Sequence, residues 1–362
     1  MSRLRPDLSV IRDEVRAISA YAVPDAAGLI KLDAMENPFG LPPEVARELG
    51  ERLGRVALNR YPPADPRAFK ERLARAIDLP EGMALLLGNG SDELIHLVIQ
   101  ACARPGAVVL SPWPSFEMYD LASRFDGCRF VGVPLADDFS LPRERMLATI
   151  AEHRPAVIFV SWPNNPTGNL FERAAVEAVI DAAGLVVLDE AYLPFAQDTF
   201  LPQLATRRNL LVLRTFSKLG LAGIRLGYLC GDPAWIGEFN KVRPPYNVNV
   251  LTLAVAEFML ERRALLEEQA ARIREERVRL LARLRQLAGV TAFDSAANFV
   301  LFRLAGGTPA ADRVFALLRS RGILIKNRAH VHPLLAGCLR VTVGLPAEND
   351  AFIAALTASL QA

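Results

Sequence analysis

Between about residues 84 and 245 the chain alternates short, largely apolar runs with amphipathic segments of helical period. The apolar runs are MALLL (83–87), AVVL (107–110), CRFVGVPL (128–135), AVIFVSW (156–162), LVVLDEAY (185–192), NLLVLRTFSK (209–218) and IRLGYLCG (224–231). A strand apolar on both faces must be covered on both. The segments between them, such as ELIHLVIQACA, SFEMYDLASRF and FERAAVEAVIDAAG, read as the helices that supply the cover. The alternation therefore predicts an α/β chain with a mostly parallel central sheet.

After Pro244–Pro245 the texture changes. A long helical pattern closing at Gly289 is followed by TAFDSAANFVLFRL, a helix through ADRVFALLRSRG, ILIKN, CLRVTVG and a final helix. This reads as a second, smaller α+β domain. The segment before residue 84 carries PFGLPP and RYPPADPRAF, where prolines oppose regular ladders, and reads as an arm and linker. The expected division is residues 1–48 as an arm with part of the small domain, 49–245 as the large domain and 246–362 as the small C-terminal domain.

Composition narrows the function classes. With 51% hydrophobic residues in 362, the chain buries a large core, which excludes global disorder. Its net charge of +2, from 42 bases and 40 acids, lacks the basic footprint of a nucleic-acid binder. Cys102, Cys128, Cys230 and Cys338 form no CxxC pair, and His96, His153, His330 and His332 no HExxH. They read as buried thiols and isolated imidazoles, so no metal site is expected. The N-terminus has charges where a signal peptide needs an apolar stretch, and no charge-free run of ~18 residues suits a bilayer. The expectation is a soluble cytoplasmic protein.

In a parallel sheet, ligands collect at the carboxyl ends of the strands. GNGSDEL (88–94) stands at one such end. It lacks the third glycine of a dinucleotide fingerprint and the GK[ST] of a P-loop. What remains is a glycine turn whose Ser91 and Asp92 amides open a helix, equally suited to a phosphate or to ordinary capping. Lys218 ends a buried-looking strand. There, burial would lower its pKa and free a nucleophilic amine, unless it simply snorkels to solvent. Arg225 brings a second cation to the same mouth. Asp189 ends the most apolar strand, where a carboxylate needs a cationic partner, a structural ion pair or a helix cap. Tyr192 follows it, and Asn165 sits in the proline turn NNPTG.

These residues, in this order, resemble a known family. NNPTG, Asp189 of DEAY 24 residues after Asn165, Lys218 of SK 29 further on, and then GIRLGY resemble the fold-type I, class II aminotransferases that use pyridoxal 5′-phosphate. LDAMENPFG (32–40), RYPP (60–63), GNGSDEL, AANFVLF (296–302) and CLRVTVG (338–344) are similar to the branch acting on histidinol phosphate. The resemblance spans the whole chain.

It implies that Lys218 binds the cofactor covalently and that Asp189 pairs with its protonated pyridine nitrogen. Tyr192 and Asn165 would meet the phenolic oxygen. Ser91, Asp92, Ser217 and Arg225 would grip the phosphate, and Phe116 would stack on the ring, where many relatives have tyrosine. Tyr61 of RYPP would reach the phosphate from a neighbouring subunit, making a homodimer with a shared site. For substrates, Arg340 would clamp the oxyanion of histidinol phosphate or of glutamate and 2-oxoglutarate; the alternative for Arg340 is a surface-strand arginine. Tyr21 and Lys326 would lie near the substrate phosphate, Lys326 standing where some relatives have arginine. The spacing from Lys218 to Arg225 is one residue shorter than in many relatives. Competing readings are a decarboxylase of amino-acid phosphates or an aromatic aminotransferase on the same scaffold, and a non-catalytic ligand-binding regulator.

Overall fold

The all-apolar runs form strands. In the computed structural model, which describes residues 7–20 and 23–362, the strands in chain order begin with β1 (Ile30–Lys31), β2 (Ala84–Gly88), β3 (Val108–Trp113) and β4 (Arg129–Pro134). There follow β5 (Val157–Ser161), β6 (Val186–Asp189), β7 (Leu210–Thr215) and β8 (Gly227–Gly231). The C-terminal third adds β9 (Val290–Ala292), β10 (Phe299–Leu304), β11 (Ile323–Leu324), β12 (Lys326–Asn327) and β13 (Cys338–Thr342).

β2 to β8 make one seven-stranded sheet in the order β2-β8-β7-β6-β5-β3-β4. Only β8 runs against the others, pairing antiparallel with both β2 and β7. The mostly parallel sheet predicted from the alternation is therefore present. Its central strands carry no solvent-facing side: Val186, Val187, Leu188 and Leu210 to Leu213 are fully buried. Each such side chain contributes about 1.5–3 kcal/mol relative to exposure. One set of their side chains packs with Ile95, Tyr119 and Phe239, the other with Val176, Phe200 and Met259.

A four-stranded antiparallel sheet, β12-β13-β10-β9, forms the second layer system. Its core takes in Phe299, Phe302, Leu339 and Phe352, together with Leu32, Met35 and Tyr192 from earlier in the chain. β1 pairs in parallel with β11, which ties residues 30–31 to the C-terminal third.

Two expectations needed correction. The proline-rich N-terminal segment holds helices at Pro43–Leu53 and Arg67–Ala76. Pro43 occupies the first turn of one and Pro66 caps the other, positions where the missing N–H costs nothing. The long pattern after Pro245 is two helices, Val250–Leu260 and Arg263–Arg285. They break at Arg262, which leaves helical geometry and lays its guanidinium 3.8 Å from the Phe258 ring while binding Glu48.

Candidate active site

The carboxyl ends of β5, β6 and β7 lie side by side, with Ser161 in register with Asp189. The sheet's connections change direction between β5 and β3, so a crevice opens there. A cavity of about 210 Å³ occupies it. Ser91 and Asp92 line it from a helix start and Phe116 and Asn165 from two loops, and Asp189, Tyr192, Ser217, Lys218 and Arg225 complete it. Nine residues singled out from the sequence thus share one wall.

Asp189 is buried at the cavity floor. It accepts the Tyr119 hydroxyl at 2.8 Å and the Ala191 amide at 3.1 Å. Burial pushes its carboxyl up to about 6, against the pull of those two donors, and among the described residues it has no ion-pair partner. A cationic nitrogen placed there would meet that need. Lys218 follows β7 in a short 3₁₀ turn and donates its Nζ to the Ala34 carbonyl at 3.2 Å. Burial first, and then the Arg340 guanidinium, bring its ammonium down to about 8. That value leaves a free amine available near neutral pH.

Asn165 donates to the Tyr192 hydroxyl at 3.1 Å and accepts from Arg340 Nη1 at 2.6 Å. Burial raises the Tyr192 phenol, so it stays a hydrogen-bond donor. Arg340 is itself buried and also donates to the Asp33 carbonyl at 3.0 Å, so the surface-strand alternative is overturned. Lys326 lies opposite Arg340 across β12–β13, which puts both side chains on one face of the sheet. Its ammonium is lowered, by burial first and then by Arg328 and Arg340.

The phosphate cradle predicted at GNGSDEL has the required shape. Ser91 starts the helix Ser91–Cys102, and Gly90 takes a φ of +88°. A Cβ at Gly90 would meet Arg225 Nη2 at 2.8 Å, and one at Gly227 would meet the Ser91 nitrogen at 2.7 Å. Both glycines are needed for helix start, Arg225 and β8 to come this close. Arg225 donates to the Ser217 hydroxyl at 3.4 Å and pairs with Asp92 at 3.5 Å. The short path from Lys218 to Arg225 is two 3₁₀ turns, with Gly220 at φ +112° against the Asn37 side chain. A helix N-terminus, a hydroxyl and a guanidinium converge on one point, a donor set suited to a phosphate.

One predicted residue lies elsewhere and another cannot be placed. Tyr61 is exposed, stacked on Tyr246 at 4.7 Å, and does not line the cavity of its own chain. Tyr21 lies outside the described residues. Two more residues at the site escaped the sequence reading. Tyr119 looked like a core aromatic of an amphipathic helix. Arg328, two residues past Lys326, is buried and pairs with Glu117 at 3.2 Å, joining the C-terminal sheet to the residue after Phe116. The i, i+2 spacing from Lys326 was the available signal for it.

Residues 27–356 match the family "Aminotransferase class I and II". The chain belongs to this family. It is 54% identical to histidinol-phosphate aminotransferase 2 of Cupriavidus pinatubonensis over 100% of both chains. It is 54% identical to histidinol-phosphate aminotransferase 1 of Ralstonia nicotianae, over 97% of this chain and 95% of that one. A crystal structure of the histidinol-phosphate aminotransferase of Sinorhizobium meliloti, in complex with pyridoxal-5′-phosphate, superposes with a TM-score of 0.88, at 26% identity and 98% coverage of each chain. This aminotransferase fold is the one the resemblance implied. Among the described residues no helix is long and apolar enough to cross a membrane, and no cluster of three metal-ligating side chains occurs.

Proposed function

We propose that this chain is a pyridoxal-phosphate-dependent aminotransferase that moves the amino group between L-histidinol phosphate and 2-oxoglutarate, in L-histidine biosynthesis. The observation that carries it is that one cavity is lined together by Lys218, with its lowered pKa, by Asp189, which has no ion-pair partner among the described residues, and by Phe116. The substrate follows from the full-length relatives, which favour this reading over decarboxylation or an aromatic donor.

Bound pyridoxal phosphate supplies an electron sink for the charge left when the Cα–H bond of the substrate breaks. The protein's residues do the rest. Lys218 Nζ would hold the cofactor and, as a free amine in the same cavity, would take the Cα proton of the substrate as a general base. The Asp189 carboxylate would keep the proton on the ring nitrogen. Asn165 and Tyr192 would donate to the cofactor's phenolic oxygen, and Phe116 would offer the aromatic surface for its ring. Ser91, Asp92, Ser217 and Arg225 hold the phosphate at the helix start. Arg340, already beside Asn165, clamps the phosphate end of one substrate or the α-carboxylate of the other. Lys326 adds charge for the distal phosphate without a bidentate fork. Tyr61 and Tyr21 belong to the same proposal, Tyr61 reaching the phosphate across a homodimer. The division near residues 48 and 245 does too, supported by the separate core shared by Leu32 and Phe299.

A visible spectrum of the purified protein tests this reading. A yellow band that shifts on adding histidinol phosphate and returns with 2-oxoglutarate supports it. A colourless protein that takes up no pyridoxal phosphate refutes it.

A further inference from the structure

Phe116 follows β3 and Asp189 ends β6, on opposite sides of the crevice, yet one residue touches both. Tyr119 lies on the buried face of the helix Met118–Phe125 and is fully enclosed. Its ring stacks on Phe159 of β5 at 4.8 Å and 16°. The same ring meets Phe116 edge-on at 5.6 Å and 86°. Its hydroxyl donates to Asp189 Oδ2 at 2.8 Å, while the Ala191 amide takes Oδ1.

We infer that Tyr119 is a positioning residue for the reaction: it fixes the Asp189 carboxylate in its ionised form and the Phe116 ring in place, acting through both and touching neither substrate nor cofactor. The inference rests on the function proposed above. A hydroxyl donating to a buried carboxylate favours its charged state. The other charged groups acting on Asp189, Asp92 and Glu190, both oppose ionisation. The Tyr119 phenol is itself raised by burial and by Asp189, so it remains a donor throughout the working range. Asp189 has no ion-pair partner among the described residues, so this hydroxyl and the Ala191 amide are the donors that keep the acid charged for a pyridine nitrogen. The two ring contacts make the stacking face and the charge partner parts of one rigid unit.

Tyr119→Phe removes only the oxygen and keeps both ring contacts. In the cofactor-free protein, the ¹³C-carboxyl titration of Asp189 should move up from about 6 by roughly one pH unit. In protein loaded with ¹⁵N-labelled pyridoxal phosphate, the ring-nitrogen signal should shift toward the neutral form. kcat for histidinol phosphate should fall about tenfold with KM within about twofold. In an Asp189→Asn background the same change should add nothing. Titration and nitrogen signals that keep their wild-type values overturn the inference, whatever the activity does. Should the wild-type protein take up no pyridoxal phosphate, the proposed function fails, and the titration in the free protein still decides the role of Tyr119.

Discussion

Asp189 and Glu190 are neighbours in sequence, equally buried, and solved in opposite ways. Successive residues at a strand end face opposite sides of the sheet. Glu190 points to a closed network: it accepts Arg214 Nε at 2.9 Å, the Phe200 amide at 2.7 Å and the Thr199 hydroxyl at 2.8 Å. Asp189 lines the cavity with two neutral donors and, among the described residues, no ion-pair partner. A buried charge that is fully paired stabilises one arrangement of the chain. A buried charge left short of a partner costs stability in the free protein and is ready for a ligand that brings the opposite sign.

The largest expected effect removes the base that works above Asp189. Lys218→Ala should lower single-turnover reaction with histidinol phosphate by about 10³-fold or more while leaving the thermal midpoint nearly unchanged. Arg340→Ala should come next, with a loss of about 10²-fold in each half-reaction followed separately. Damage confined to one donor would show that the two oxyanions do not share a clamp.

The adjacent acids then separate by readout. Glu190→Gln should destabilise the fold by about 3 kcal/mol, because Arg214 stays buried without its counter-charge, yet leave the bound-cofactor spectrum alone. Asp189→Asn should do the reverse, cutting kcat with no loss of denaturation midpoint. If both variants lose stability alike, the contrast between them is wrong.

The smallest effect is the pH dependence of stability. The folded pKa of Asp189, about 6, lies above its unfolded value of 3.8. Between those values the folded state binds more protons than the unfolded one, so stability falls as pH rises through this window. Thermal midpoints of the cofactor-free wild-type protein should therefore drop relative to Asp189→Asn from about pH 4 to about pH 6. The gap should close when pyridoxal phosphate is added.

What the sequence made legible follows the same line. Asp189 and Lys218 stand out because a charge ending an all-apolar run is unusual on its own, without any tertiary information. Asn165 and Ser91 come from strand-to-helix turns, and Arg225 from the turn that leads into β8, positions that the alternation sets. Tyr119 was not legible: its place on the apolar face of SFEMYDLASRF accounts for it fully, and only the folded pairing of β5 with β6 brings its hydroxyl to Asp189. The burial of Arg340 was hidden for a related reason, since a short alternating strand does not say which face is covered. The helices at Pro43–Leu53 and Arg67–Ala76 were masked by prolines that turn out to begin them.

The most direct test of the central claim is chemical. Active protein loaded with pyridoxal phosphate is reduced with borohydride, digested and mapped by mass. One modified peptide, carrying the reduced cofactor on Lys218, is expected. Active material labelled at another lysine, or not labelled at all, would contradict it.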